Sequence, residues 1–569
     1  MRLSEAPDAQ PPAQLAAPAP AAAAAKLRIG IVLGSEHLRA WEASMLRRIR
    51  TSDYAEIVVA VLDEQNKDQR DALALQAAPG GAGGLLRAPL HAMVEALEAG
   101  IVCERDAFAW DDAGVRSGVE TIKVNSSSGA LELGVTIAVR IEALDLDVWV
   151  HLGGSLPGAD LQQSSRYGVW RLTHDGWSAD DATAAGFWPV CLDATVIESA
   201  LVADRAGSSQ TLATSVSGTN RYSVKLNRSA LYWKISSLLP RTLEALHRAG
   251  AAVLVKEHRR PGSTGDTRRV PTAPQLAVHV GRNIRRRAGD FLHRHFALDR
   301  WVLLVHAGDE PCTAGAEFTT IIPPKDCFWA DPHVVRKGDR YYVFIEELTF
   351  ASGKGHISVL VLDDEGTPQG PATKVLERDY HLSYPCVFEH AGDFFMIPES
   401  SENRTVDLYR CIDFPSGWQH VATLLKDIDA VDTTVLEHEG QWWLFVGVRE
   451  NEGASYCEEL FVFHAPSLTD THWTPHAANP VVSDVRRARP AGAMFRRGGK
   501  LYRPAQDCSV RYGYAVKLNE VTLLTPTDYA EAPVADLLPD WDWRVIATHT
   551  LAYTPGLTLI DALQPRLKL

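Results

Sequence analysis

Residues Asp331 to Glu347 read DPHVVRKGDRYYVFIEE. The stretch is an apolar run, a turn containing Gly338, and a second run opened by paired aromatics, which together make a β-hairpin. The pattern returns as Tyr384 to Glu399 (YPCVFEHAGDFFMIPE, turn at Gly392), Asp432 to Gly447 (DTTVLEHEGQWWLFVG, turn at Gly440) and Arg489 to Ala505 (RPAGAMFRRGGKLYRPA, turn at Gly498 and Gly499). The repeats start 53, 48 and 57 residues apart. Hairpins at about 50-residue intervals are β-propeller blades, each burying one face only against its neighbours. Segments near 301 to 322 and 541 to 561 supply a fifth, so a five-bladed β-propeller is expected over 301–569.

Upstream the texture changes. Leu27 to Leu33 (LRIGIVL) is a short β-branched run closed by Gly34, Leu38 to Ile49 carries apolar residues at helical spacing, and Ile57 to Leu62 (IVVAVL) is a second run. Strand, helix, strand in so short a span is a βαβ opening and implies a parallel sheet. The pattern returns at Leu146 to Leu152, so 27–215 reads as a doubly wound α/β domain. Residues 216–300 read as a helical connector, with a flexible Pro/Gly-rich linker at 256–275. Arg282 to His295 places basic residues on a helix, either a solvated face or a contact with an anionic partner.

A chain of 569 residues allows three to four domains at about 150 residues each. With 46% hydrophobic and 22% charged residues, disorder or a fibrous repeat is excluded for most of its length. The net charge of −14 repels phosphate backbones, so no nucleic-acid partner is expected. Eight scattered cysteines without a CxxC pair argue against a zinc knuckle or a disulfide scaffold. No run approaches the ~20 apolar residues needed to span a bilayer. Residues 1–26 read as a disordered Pro/Ala tail, because Lys26 and Arg28 follow the alanine run rather than precede it as in a signal peptide. A cytoplasmic location is the expectation, with peripheral association at the inner membrane left open. Gly80 to Gly84 lies in a Pro/Ala-rich loop, unsuited to cradling phosphate, and the histidines form no HExxH motif. No metal and no cofactor are expected.

Inner strands of a propeller start around a central funnel, where side chains from different blades converge. Alignment on the turn glycines puts Asp331, Tyr384, Asp432 and Arg489 at equivalent first positions, while Glu347, Glu399 and Asp507 close the second strands. Carboxylates gathered beside an arginine can hold a sugar by its hydroxyls, or do acid and base work on a glycosidic bond. The plainer alternative makes them turn and inter-blade hydrogen-bonding residues. Trp329 is a candidate sugar platform, and His381 stands beside the second repeat.

The runs Phe328 to Val334 (FWADPHV), His381 to Pro385 (HLSYP) and ValAspThrThr at 431 to 434 resemble two families. One is the arabinanase-type five-bladed glycosidases. The other is the N-terminal domain of plant glucosamine inositolphosphorylceramide transferases, to which ArgAlaArgProAlaGly (487 to 492) and LeuTyrArgProAlaGlnAspCys (501 to 508) are similar as well. The glycosidase resemblance implies a funnel with a base at Asp331, a pKa-tuning aspartate at Asp432 and an acid from the next blade. This chain has Arg489 there, which cannot donate a proton at neutral pH. Glu399 or Glu347 is the substitute acid on offer, and an arginine better suits an anion or a phosphosugar. The resemblances imply a sugar, sugar-phosphate or glycan partner and a transferase of glycan assembly, with a carbohydrate-binding scaffold or a glycosidase as alternatives. Tyr167 to Trp170 (YGVW), ThrHisAspGly (173 to 176) and GlyPheTrp (186 to 188) resemble a formyltransferase core. That family works through an Asn-x-His pair and an aspartate. Arg171 stands at the Asn position, His174 one step past the His position, and Asp204 is the candidate aspartate, a degenerate set lacking the amide that stabilises an oxyanion.

Overall fold

A computed structural model describes residues 25–64, 84–111, 114–124, 130–131, 133–175, 177–178, 186–205, 207–255 and 272–568. The expected tail, the glycine cluster at 80 to 84 and the linker at 256–275 lie almost wholly outside the described residues.

The first unit is built on a sheet in the order Ser208–Gly218, Val196–Arg205, Val169–His174, Val148–His151, Leu27–Leu33, Ala55–Asp63, Glu120–Val124. The last five pair in parallel and the first two run antiparallel. Alternation along Leu27–Leu33 explains the two-sided burial. Ile29, Ile31 and Leu33 pack with Trp41, Met45, Leu46 and Ile49 of helix Ala40–Thr51, whereas Val32 packs with Val59 and Val61 against Ile141 on the opposite face. The sheet is therefore covered on both faces, as a parallel sheet must be. Gly30 is required by close approach, because a Cβ there would strike the ring of Trp149, which is fully buried.

Helices Val224–Ile235 and Leu238–Ala249 fall in the region expected to be a connector. Their Leu231, Tyr232, Ile235, Leu239, Leu243 and Leu246 complete the same core as Ile29 and Ile31, so they belong to the α/β unit. The break between them falls at Ser236 and Ser237, and Pro240 sits in the first turn of the second helix, where its missing N–H costs no hydrogen bond. A 24-residue helix, Ala273–Phe296, then leads directly into the propeller.

Five four-stranded antiparallel sheets follow. The first blade is Cys327–Lys337, Arg340–Thr349, Gly355–Leu362 and Thr373–Leu376. The second opens with Ser383–His390 and Asp393–Glu399, the third with Ala430–His438 and Gln441–Val448, and the fourth with Phe495–Arg497 and Lys500–Asp507. The fifth joins the two ends of the propeller. Ala297–Ala307 pairs along its whole length with Leu557–Leu567, and Leu551–Thr554 is the inner strand. This closure ties the first strand of the propeller to its last and so holds the ring shut.

Candidate funnel site

Asp331, Tyr384 and Asp432 lie in the N-terminal halves of the inner strands of three successive blades, and each adopts left-handed backbone, with φ of 51°, 40° and 50°. The pairing register slips beside each one, between Ala330 and His333, Ser383 and Cys386, and Val431 and Thr434. These are β-bulges, which re-aim a side chain where a ladder would otherwise fix it. Aspartate tolerates such backbone; for tyrosine it is strained by about 1–3 kcal/mol. Two hydrogen bonds hold Tyr384: its hydroxyl lies 2.8 Å from Thr434 Oγ1 and accepts the Gly492 N–H at 2.6 Å.

The three residues join a network that draws on all five blades. Asp331 accepts the Tyr384 N–H (3.2 Å) and the Thr550 hydroxyl (2.9 Å), and its own N–H donates to Asp561 (3.0 Å). His549 Nδ1 sits 2.6 Å from Asp561, and its Nε2 lies 3.6 Å from Asp331. Across the ring Arg489 donates two bonds to Asp432, at 2.6 and 3.2 Å, and Gln506 donates a third at 3.0 Å. Glu399 lies 3.8 Å from Arg489 and accepts the Asp432 N–H at 3.4 Å. Trp301 stacks on His549 (4.0 Å, 9°), and the half-exposed Tyr512 meets the edge of His549 and lies beneath the Arg489 guanidinium at 5.0 Å.

Burial sets the electrostatics. Loss of water pushes the Asp331 carboxyl up to about 7, reinforced by Glu346, Asp432 and Asp561 and opposed by His549. Asp432 is raised as well, by burial and the nearby Glu399, with Arg489 opposing. His549 would lose its proton more readily through burial alone, but Asp561 and Asp331 outweigh this and raise it to about 9. A carboxyl near neutrality beside a protonated imidazole is suited to moving a proton at a bound hydroxyl. His333 is buried and pushed down to about 3, with its ring edge against Tyr384.

Of the residues singled out in the sequence, Asp331, Tyr384, Asp432, Arg489 and Glu399 are brought together. His381 joins at the margin, 3.2 Å from Glu346. Three are not. Glu347 faces the opposite side of its strand, where bonds from His356 and Ser358 outweigh burial and hold it down at about 2; its neighbour Glu346 is the acid that faces Asp331. Trp329 is packed in the first blade's core with Cys327, Tyr341 and Leu360, so it offers no platform. Asp507 pairs with Lys517 at 3.5 Å, away from Asp432. Arg489 has its guanidinium engaged with Asp432, so an incoming anion would meet a charge already shared.

His549, Asp561, Glu346, Gln506, Tyr512 and Trp301 were not legible as a set. One was within reach. Counting seven residues back from the fifth hairpin's turn glycine, Gly556, lands on His549, as the same count from Gly338 lands on Asp331. Two clusters among the described residues could gather a cation: Asp331, His549 and Asp561, and separately His306, Cys312 and Glu317 on the fifth blade. In the first, protonated His549 itself supplies the positive charge.

In the α/β unit, Arg171 and Asp204 form an ion pair at 2.5 Å. His174 is three residues on from Arg171, on the other face of the strand by alternation, where its Nε2 lies 3.5 Å from the Tyr232 hydroxyl. The three residues suggested by the formyltransferase resemblance therefore do not converge.

Residues 310–541 match the family model described as Glucosamine inositolphosphorylceramide transferase 1, N-terminal. The chain is 34% identical to Glucosamine inositolphosphorylceramide transferase 1 of Arabidopsis thaliana over 226 residues, covering 39% of this chain and 29% of that protein. It is 34% identical to the protein of the same name from Oryza sativa subsp. japonica over 209 residues, covering 36% and 28%. The match thus spans less than a third of these relatives. Among solved structures it is similar to a family 117 glycoside hydrolase of Zobellia galactanivorans (11% identity, 47% of this chain and 91% of that one, TM-score 0.31). It is also similar to the catalytic domain of a GH62 α-L-arabinofuranosidase of Coprinopsis cinerea (13%, 46% and 97%, TM-score 0.33).

Proposed function

We propose that this chain is a glycan-directed enzyme of transferase type, acting in sugar or polysaccharide assembly and binding a sugar or sugar-phosphate at the propeller funnel. The observation that carries the reading is the buried five-blade network joining His549, Asp331, Asp432 and Arg489. The match to the family model named for a transferase supports it, since its residues 310–541 fall on the propeller and include the segments that hold Asp331, Tyr384, Asp432 and Arg489. In this reading Asp331 accepts the proton of a sugar hydroxyl, His549 tunes it, and Asp432, fixed by Arg489 and Gln506, orients a second hydroxyl. Trp301 and Tyr512 offer aromatic surface beside them for a sugar ring.

A hydrolase on this plan needs a carboxylic acid from the fourth blade, where Arg489 stands clamped to Asp432; this favours transfer over hydrolysis. The same clamp also fits a non-catalytic carbohydrate-binding module, and one experiment separates the two. Asp331→Asn keeps the acceptor for Tyr384 N–H while removing the base. Glycan product is measured in the host and sugar binding is measured by calorimetry on the purified chain. Loss of product with binding kept within a few-fold supports the enzyme. Unchanged product in the host would retire it.

A further inference from the structure

The fifth blade gathers His306, Cys312 and Glu317 beside its turn at Gly556, the end away from Asp331. His306 sits at the end of the strand Ala297–Ala307, paired with Thr558, and Cys312 and Glu317 follow in the next loop. Cys312 Sγ stands 3.8 Å and His306 Nδ1 4.0 Å from the same oxygen, Glu317 Oε2, and the three donor atoms all fall within 4.8 Å of one another. Bonds that do not involve these donors fix the loop. The Gly308 N–H donates to the Gly556 carbonyl at 2.9 Å, the Cys312 N–H to the Thr558 hydroxyl at 3.1 Å, and the Asp309 carbonyl accepts the Tyr553 hydroxyl at 2.6 Å. Gly308 also leaves the imidazole its room, since a Cβ there would stand 2.9 Å from His306 Nε2. Among the described residues no Lys or Arg pairs with Glu317.

Thiolate, imidazole and carboxylate together suit zinc(II) and similar borderline-soft divalent cations, whereas calcium and magnesium take oxygen ligands. Zinc bonds of about 2.3 Å to sulfur and about 2.0–2.1 Å to nitrogen or oxygen give tetrahedral edges of roughly 3.3–3.6 Å. The separations from Glu317 Oε2 exceed these by well under an ångström, and Glu317, the most exposed of the three, can turn inward to close the set. The charges agree. In the funnel protonated His549 answers its carboxylates, whereas beside Glu317 a dication would do so. We propose that His306, Cys312 and Glu317 form a zinc(II) site that ties the loop to the strand closing the propeller ring. Loading releases the Cys312 proton to solvent and keeps the ring proton on His306 Nε2, so that Nδ1, which faces the Glu317 carbonyl at 3.2 Å, can ligate. Water from the exposed side takes the fourth position. The site stands independently of the funnel reading.

The test takes the purified full chain through a chelator and titrates it with Zn²⁺ and, separately, with Co²⁺. The wild type is expected to gain a thiolate-to-cobalt charge-transfer band, which zinc abolishes by displacement, and to melt higher with zinc than without. Cys312→Ser is expected to lose the band and to weaken zinc binding at least tenfold, with the melting temperature of the metal-free chain unchanged. Should that variant misfold, Glu317→Gln, at an exposed position, reads the same site and is expected to keep the band while weakening zinc several-fold. Absence of the band in the wild type overturns the proposal, as does zinc affinity that either correctly folded variant leaves unchanged. So does a band that survives Cys312→Ser and disappears in Cys457→Ser, because the metal would then be held by other thiols.

Discussion

Burial of Asp331, Asp432 and Asp561 in one network leaves three carboxylates short of water, and the imidazole of His549 answers two of them. Folding raises this imidazole to about 9. Its contribution is therefore whole below the unfolded value of about 6.5 and is lost as pH climbs through 9. Asp331 slopes the same way. Its folded value of about 7 lies above the unfolded one, so the native state holds the proton more tightly and loses that advantage as pH rises through 7. The melting temperature should fall from pH 6 to pH 9.5, by an amount equivalent to about 3 kcal/mol from His549. His549→Gln should melt lower at pH 6, by about 3–5 kcal/mol because the aspartates lose their counter-charge, and should show a flatter profile. A wild-type melting temperature that stays level across this range would contradict the assignment of charge.

Hairpins were legible because their signals are local: alternation, a turn glycine and paired aromatics repeat within each 16 or 17 residues. The direction of a side chain near a bulge was not. Glu346 and Glu347 differ by one position in a period-two pattern, and the slip between Ala330 and His333 decides which of them faces Asp331. Trp329 was misread for the same reason, since exposure at a strand start depends on which blade covers it. Arg489 was aligned by its glycines yet lies ahead of a short inner strand, Phe495–Arg497, not within a bulged one. The fourth blade compensates with Gly492, at φ 132°, which passes close to the Leu551 carbonyl and donates to Tyr384. Gly492→Ala would drive a Cβ into that carbonyl and hold alanine in a glycine-only conformation, costing about 2–3 kcal/mol or more. Calorimetry should show a drop of several degrees; a melt equal to the wild type would mean that blades four and five do not meet as described.

The two units are not beads on a string. The doubly wound sheet was legible from its apolar runs, whereas its attachment to the propeller was not, because ion pairs between residues some 210 to 240 positions apart leave no periodic trace. Arg241 forms a double hydrogen bond with Glu459 at 2.8 and 2.6 Å and also binds Glu450, while Lys234 reaches Glu458 at 3.2 Å. Glu458 accepts the Gly218 N–H at 2.8 Å, and Asn451 donates to the Trp233 carbonyl at 2.7 Å. All of these acceptors and donors on the propeller side lie on one third-blade connection, between Gln441–Val448 and Leu460–Ala465. The same connection carries Cys457, whose thiol feels the charge of Arg489. The α/β unit thus grips a loop that borders the funnel, and its stability reaches the site by that route. Arg241→Ala removes the cation from the buried Glu459 and leaves the half-buried Glu450 with Arg48 alone, a loss of about 3–5 kcal/mol for a broken buried pair. Calorimetry of the wild type should show the two units melting together. The variant should split into two transitions, whereas a single unshifted transition would show that the clamp does not couple them.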